Sequence, residues 1–125
     1  MAMKKITYMF IFLLSALSLK SADITLITNS FKEGRASGIA KNMDAEVDIT
    51  VPGATKKGTG ADAVAILTRF FESDKPTGFT VLHHADKNDS GFFVGRLTTG
   101  KGEFRVNITY GTKENTVLIQ SIRIE

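Results

Sequence analysis

The dipeptide Gly100-Lys101 is flanked by two runs that mirror one another in polarity. Folding the chain back at this point sets Thr99 opposite Gly102, then Leu97 opposite Phe104, Gly95 opposite Val106 and Phe93 opposite Ile108. From Leu97 inward every pair is apolar or contains glycine. Side chains of a strand alternate between faces, so a slip of one residue would send each of them to the wrong side. The agreement therefore demands an antiparallel hairpin with one buried face.

Short joins at 87–90 and 111–115 extend the hairpin into a four-strand meander of Phe79–Asp86, Gly91–Thr99, Glu103–Tyr110 and Thr116–Glu125. Carrying the same face outward pairs Val81 with Leu97, His83 with Gly95 and Ala85 with Phe93. On the other flank it pairs Ile108 with Leu118, Val106 with Gln120 and Phe104 with Ile122. The expected core face is Phe79, Val81, Ala85, Phe93, Leu97, Phe104, Val106, Ile108, Leu118, Ile122 and Ile124. Three polar side chains share it: His83, Tyr110 and Gln120. The opposite face carries Leu82, His84, Asp86, Phe92, Val94, Arg96, Arg105, Asn107, Ile119, Ser121 and Arg123. It is amphipathic, which leaves room for a partner.

Upstream the period changes. Ile24, Ile27 and Phe31 stand at helical spacing within 23–33, and Gly34 ends that helix. Ala36, Ile39, Ala40 and Met43 mark a second short helix. Ala45, Val47, Ile49 and Val51 alternate with Glu46, Asp48 and Thr50, the pattern of a half-buried strand closed by Pro52-Gly53. Residues 56–60 read as a loop. Thr59 with Asp62 three residues on is a capping-box arrangement, opening a helix to about Ser73 whose stripe is Ala63, Ile66, Leu67, Phe70 and Phe71. The fold class is α+β in one domain over 23–125.

Residues 1–22 have a different character. Lys4 and Lys5 precede an apolar run from Ile6 to Leu17, too short to cross a bilayer comfortably. Small residues follow, so the segment reads as a secretory signal peptide cleaved between 18 and 22. The chain is thus expected to be exported, periplasmic or secreted, with no stable membrane insertion. Removing Lys4, Lys5 and Lys20 from the 16 basic residues leaves 13, which equals the 13 acidic ones. The formal charge of +3 is largely the leader's, since cleavage after Ser18 would keep Lys20 and leave +1, and a near-neutral domain gives no electrostatic case for nucleic acid. There is no cysteine, so packing alone holds the domain.

The phrases AVAILTRFF (Ala63–Phe71), FTVLHH (Phe79–His84), FVGRL (Phe93–Leu97), EFRVNI (Glu103–Ile108) and IQSIRIE (Ile119–Glu125), in this order of elements, resemble an exported bacterial family. That family is of unknown function and lies within the nuclear transport factor 2-like superfamily, the cystatin-like α+β cone. The resemblance implies N-terminal helices packed on a strongly curved, mainly antiparallel sheet whose cone has a mouth. Superfamily members include pocket enzymes such as ketosteroid isomerase and many non-enzymatic binding modules, so the fold does not decide the function. Ketosteroid isomerase chemistry needs a pocket carboxylate, and the expected core face here has none.

Adjacent His83 and His84 point to opposite faces of a strand and cannot share an ion; no metal site is expected and no cofactor is implied. His83 facing Gly95 has open space beside its ring. With Tyr110 and Gln120 it forms a candidate pocket for a small molecule in the cone, or else these groups satisfy each other structurally. Gly58-Thr59-Gly60 matches a dinucleotide-type glycine pattern without the strand–helix–strand unit that would give it meaning. Lys56 and Lys57 stand near a helix N-terminus, where a plain capped loop is the simpler reading. Arg96 and Arg105 face each other, an unfavourable pairing that an anionic partner or a subunit contact would relieve. The expectation is an exported non-catalytic ligand-binding or protein-interaction module, pairing as a homodimer through the outer sheet face. The alternative is a small-molecule enzyme using His83 as acid/base.

Overall fold

The computed structural model describes residues 21–125. The leader expected over 1–22 lies outside them save for its last two residues, which are helical. Helix α1 is described over 21–33 and is followed by a 3-10 helix, Ala36–Asn42. Gly34 separates the two at φ +69°, and a Cβ there would fall 2.8 Å from Pro76 Cδ, so the bend needs a residue without one. Then come β1 (Met43–Val51), β2 (Ala54–Gly58), α2 (Gly60–Ser73), β3 (Pro76–Asp86), β4 (Ser90–Thr99), β5 (Gly102–Lys113) and β6 (Thr116–Ile124). The six strands form one sheet in the order β2-β1-β6-β5-β4-β3, antiparallel except where β1 runs parallel to β6.

The helices cover one face of this sheet. Ile27 and Phe31 of α1 and Ala63, Leu67, Phe70 and Phe71 of α2 are buried in one cluster with Leu97, Val106, Ile108, Ile122 and Ile124. The α2 stripe thus does what its spacing requires. Its start is fixed by the expected capping box: Thr59 Oγ1 accepts from the Asp62 amide at 3.2 Å, and Asp62 Oδ2 accepts from the Thr59 amide at 3.0 Å.

The β4–β5 register is the expected one, from Thr99 opposite Gly102 to Phe93 opposite Ile108. Both flanking registers differ. Phe79, not Val81, lies opposite Leu97, and Val81 lies opposite Gly95. A bulge at Leu82 then moves His83 opposite Val94 and His84 opposite Phe93. An extra residue in one strand inverts the facing of everything beyond it, so His83 leaves the core face. On the other flank the turn is tighter than expected. Glu114 and Asn115, both at positive φ, form a two-residue hairpin loop, and β5 continues to Lys113. With a bulge at Gln120, this sets Ile108 opposite Ile122 and Val106 opposite Ile124. Ile119 is therefore in the core rather than on the outer face, Gln120 is exposed rather than in the core, and Leu118 is half-buried.

The loop expected over 56–60 is strand as far as Gly58. Nothing in Ala54–Gly58 is apolar beyond alanine, because β2 is an edge strand with both faces wet. Lys57 pairs with Glu46 at 3.3 Å and Lys56 with Asp62 at 3.5 Å, so these lysines are engaged within the chain. Among the described residues no helix is long and apolar enough to cross a membrane.

Candidate functional site

The inside of the cone is filled with phenylalanine. Phe31 stacks on Phe79 with ring centroids 5.4 Å apart and meets Phe71 edge-on at 5.6 Å. Phe70 meets Phe104 edge-on at 5.3 Å. The Phe79 ring lies directly over Gly95, where a Cβ would stand 2.1 Å from its Cζ. The space expected beside Gly95 is therefore occupied by Phe79 rather than open to a ligand. Offset and edge-to-face contacts of this kind add to the burial of the rings themselves.

The four candidate pocket residues are not brought together. His83 is exposed on the outer face, its ring centroid 5.7 Å from that of Phe92. Gly95 is buried under Phe79. Gln120 is exposed at its bulge, where its Nε2 donates to Asp44 Oδ2 at 3.4 Å. Tyr110, like Gly95, is on the core face; it is buried, with its hydroxyl over Gly91 and donating to Asp86 Oδ1 at 3.3 Å. Burial first, and then the charge of Asp86, push the phenol up to about 12. Asp86 was expected outside; the bulge at Leu82 turns it inward with His84. Among the described residues no cluster of three His, Asp or Glu is placed to hold a metal.

Arg96 and Arg105 do face each other on the outer side of the sheet, as expected. Glu103 lies 3.8 Å from the Arg96 Nε, and Glu125 lies 3.6 Å from the Arg123 Nε. Arg105 and Glu125 exchange both backbone hydrogen bonds, at 2.7 and 2.9 Å, which places them side by side in the row. A cleft of about 310 Å³ opens here, walled by Leu82, Arg96, Glu103, Phe104, Arg105 and Glu125. Leu82 on β3 is 51% exposed and Phe92 on β4, beside His83, is 36% exposed, while Val94 is only 7% exposed. On β5 and β6 the same face is polar, with Asn107, Arg123 and the mutually bonded hydroxyls of Thr109 and Ser121.

Two polar residues that the sequence did not single out secure the start of β6. Asp23 Oδ2 accepts from the Val117 amide at 3.0 Å, and Asn42 Nδ2 donates to the Val117 carbonyl at 3.0 Å. Together they continue the ladder where β1 no longer reaches. Their separation of 94 and 75 residues from Val117 leaves no local signal.

The pattern described as "Domain of unknown function (DUF4783)" matches residues 24–125. A crystal structure of a DUF4783 family protein from Bacteroides ovatus ATCC 8483 is 32% identical, with 79% of this chain and 90% of that one covered and a TM-score of 0.74. Another from Bacteroides uniformis ATCC 8492 is 30% identical, covering 81% of this chain and 94% of that one, with a TM-score of 0.76. An NTF2-like protein of unknown function from Cytophaga hutchinsonii ATCC 33406 shares 6% identity over 85% of this chain and 88% of that one, with a TM-score of 0.59. That last likeness concerns the fold alone. No curated protein matches.

Proposed function

Because the chain belongs to the DUF4783 family, whose structures share the NTF2-like fold, we propose its function from its own geometry: an exported, non-catalytic interaction module that works through the outer face of its sheet. The observation that carries this reading is the filled cone. Phe79 closes over Gly95 and is itself stacked on Phe31, so the interior is built as a core rather than as a pocket. The enzymatic alternative needs His83 inside the cone, and His83 lies outside it beside Phe92.

The partner proposed for the outer face is a second copy of this chain. Leu82 and Phe92 are exposed apolar side chains on an otherwise amphipathic face, which favours a modest self-association. Sedimentation velocity at tens of micromolar tests it, with Leu82→Asp as the comparison. The parent is expected to sediment faster than the variant; a monomeric parent would remove the homodimer. Export is tested separately by intact-mass measurement on protein from the native host. A chain beginning between Leu19 and Asp23 is expected, whereas full-length chain from Met1 in the cytosol would contradict export.

A further inference from the structure

We propose that the cleft beside Arg96 receives the Phe92 ring of a second copy of the chain, and that the cleft of that copy receives Phe92 in return. The proposal rests on the homodimer through the outer face and names the contact that makes it.

Phe92, Val94 and Arg96 follow one another on the outer side of β4. Val94 is the midpoint, with Phe92 and Arg96 two residues to either side and about 13 Å apart along the strand. A two-fold axis lying in the interface and crossing β4 at Val94 exchanges these two positions. Each Arg96 then faces the other copy's Phe92, and the contact is made twice, as in any isologous interface. Val94 is nearly covered, at 7% exposed, while the Phe92 ring, with the His83 ring centred 5.7 Å away, stays 36% exposed. Asn107 lies opposite Val94, and its amide both donates and accepts, so it can meet its own copy across the axis. Arg123 is next in that row and is tied to Glu125 at 3.6 Å. Sheets packed face to face are rotated by about 30°, which carries the two Arg123 side chains apart.

The cleft has the lining that a ring needs. It encloses about 310 Å³ between Leu82, Arg96, Glu103, Phe104, Arg105 and Glu125. Two arginines and two glutamates balance one another there, which suits a neutral occupant rather than an ion. Leu82, half exposed at its bulge, and partly buried Phe104 give it apolar wall. A guanidinium attracts the negative face of an aromatic ring, and a carboxylate attracts its positive edge. Glu103 stands 3.8 Å from the Arg96 Nε, so both kinds of group meet the ring at one place.

Sedimentation velocity at tens of micromolar compares the parent, Phe92→Thr, Arg96→Gln and an equimolar mixture of the two variants. Phe92→Thr removes the ring and keeps the cleft, whereas Arg96→Gln keeps the ring and weakens the cleft. Each variant alone impairs both contacts of its dimer, and its affinity is expected to fall at least about tenfold. In the mixture, Phe92 of the Arg96→Gln chain meets the unaltered cleft of the Phe92→Thr chain. One contact of each mixed pair is then whole, and the mixture should sediment faster than either variant alone. Both positions are exposed, and thermal melts matching the parent's will show that the variants are folded. A monomeric parent would remove the homodimer and this contact with it. A dimeric parent whose variants dimerise equally well would overturn the contact alone, and so would a mixture no faster than its components.

Discussion

Phe79 occupies the place of the side chain that Gly95 lacks, with its Cζ 2.1 Å from where a Cβ would be. The ring cannot simply withdraw, because Phe31 is stacked against it. Gly95→Ala should therefore destabilise the domain by about 1–3 kcal/mol, the usual cost of overpacking a core. Phe79→Ala should also destabilise it, by about 2–4 kcal/mol. In the Phe79→Ala background the alanine at 95 should cost much less, since contacting sites are not additive. Urea denaturation of the double-mutant cycle measures this coupling; strict additivity would mean that the two positions do not meet.

Tyr110 predicts an alkaline limb of instability. Its folded-state pKa of about 12 is above the ordinary value of 10.0. The neutral phenol is the form the fold favours, so this contribution is complete below pH 10. Above it the unfolded chain ionises first, and stability falls until the folded phenol ionises near 12. The loss is up to about 2–3 kcal/mol. Urea midpoints between pH 9 and 12 should fall more steeply for the parent than for Tyr110→Phe. Identical slopes would show that the phenol is not held neutral.

The capping box predicts an acid limb. Hydrogen bonds from Thr59 hold the Asp62 carboxyl below its usual value, with Lys56 assisting. A lowered carboxylate contributes stability that is present above the unfolded value and lost as pH falls through the folded one. Asp62→Asn should flatten that acid limb. Thr59→Ala should cost about 1 kcal/mol at neutral pH, read as a lower urea midpoint. No loss in Thr59→Ala would mean that the helix start is held by its packing instead.

The turn of the last hairpin offers a stabilising change. Glu114 sits at φ 52° and Asn115 at φ 62°, and a glutamate in this region is strained where asparagine or glycine is not. Glu114→Asn should raise stability by about 0.5–1 kcal/mol, seen as a higher melting temperature, while Glu114→Val should lower it.

The parts legible in the sequence are those with a dense local pattern. Gly100-Lys101 makes a short turn between two apolar-alternating runs, and the β4–β5 register follows residue for residue. Thr59 and Asp62 are three positions apart, so their reciprocal bonds need only the local helix geometry. The opposition of Arg96 and Arg105 is part of that same hairpin. β2 escaped because an edge strand with two wet faces carries no apolar alternation to read.

Local pattern thus settles the α+β class, the helices and strands other than β2, the central hairpin and the start of α2. Where the bulges fall is set by packing in three dimensions. An extra residue at Leu82 or Gln120 leaves the period-two pattern plausible on either side, and the choice between registers is made by packing. Phe79 must reach over Gly95 to stack on Phe31, and Ile119 must reach the core. Those contacts join residues far apart in the chain, and they carry His83 outward and Asp86 inward to Tyr110. The candidate site moved from the cone to the outer face for that reason: a strand's facing beyond a bulge is set by non-local burial, which no local pattern contains.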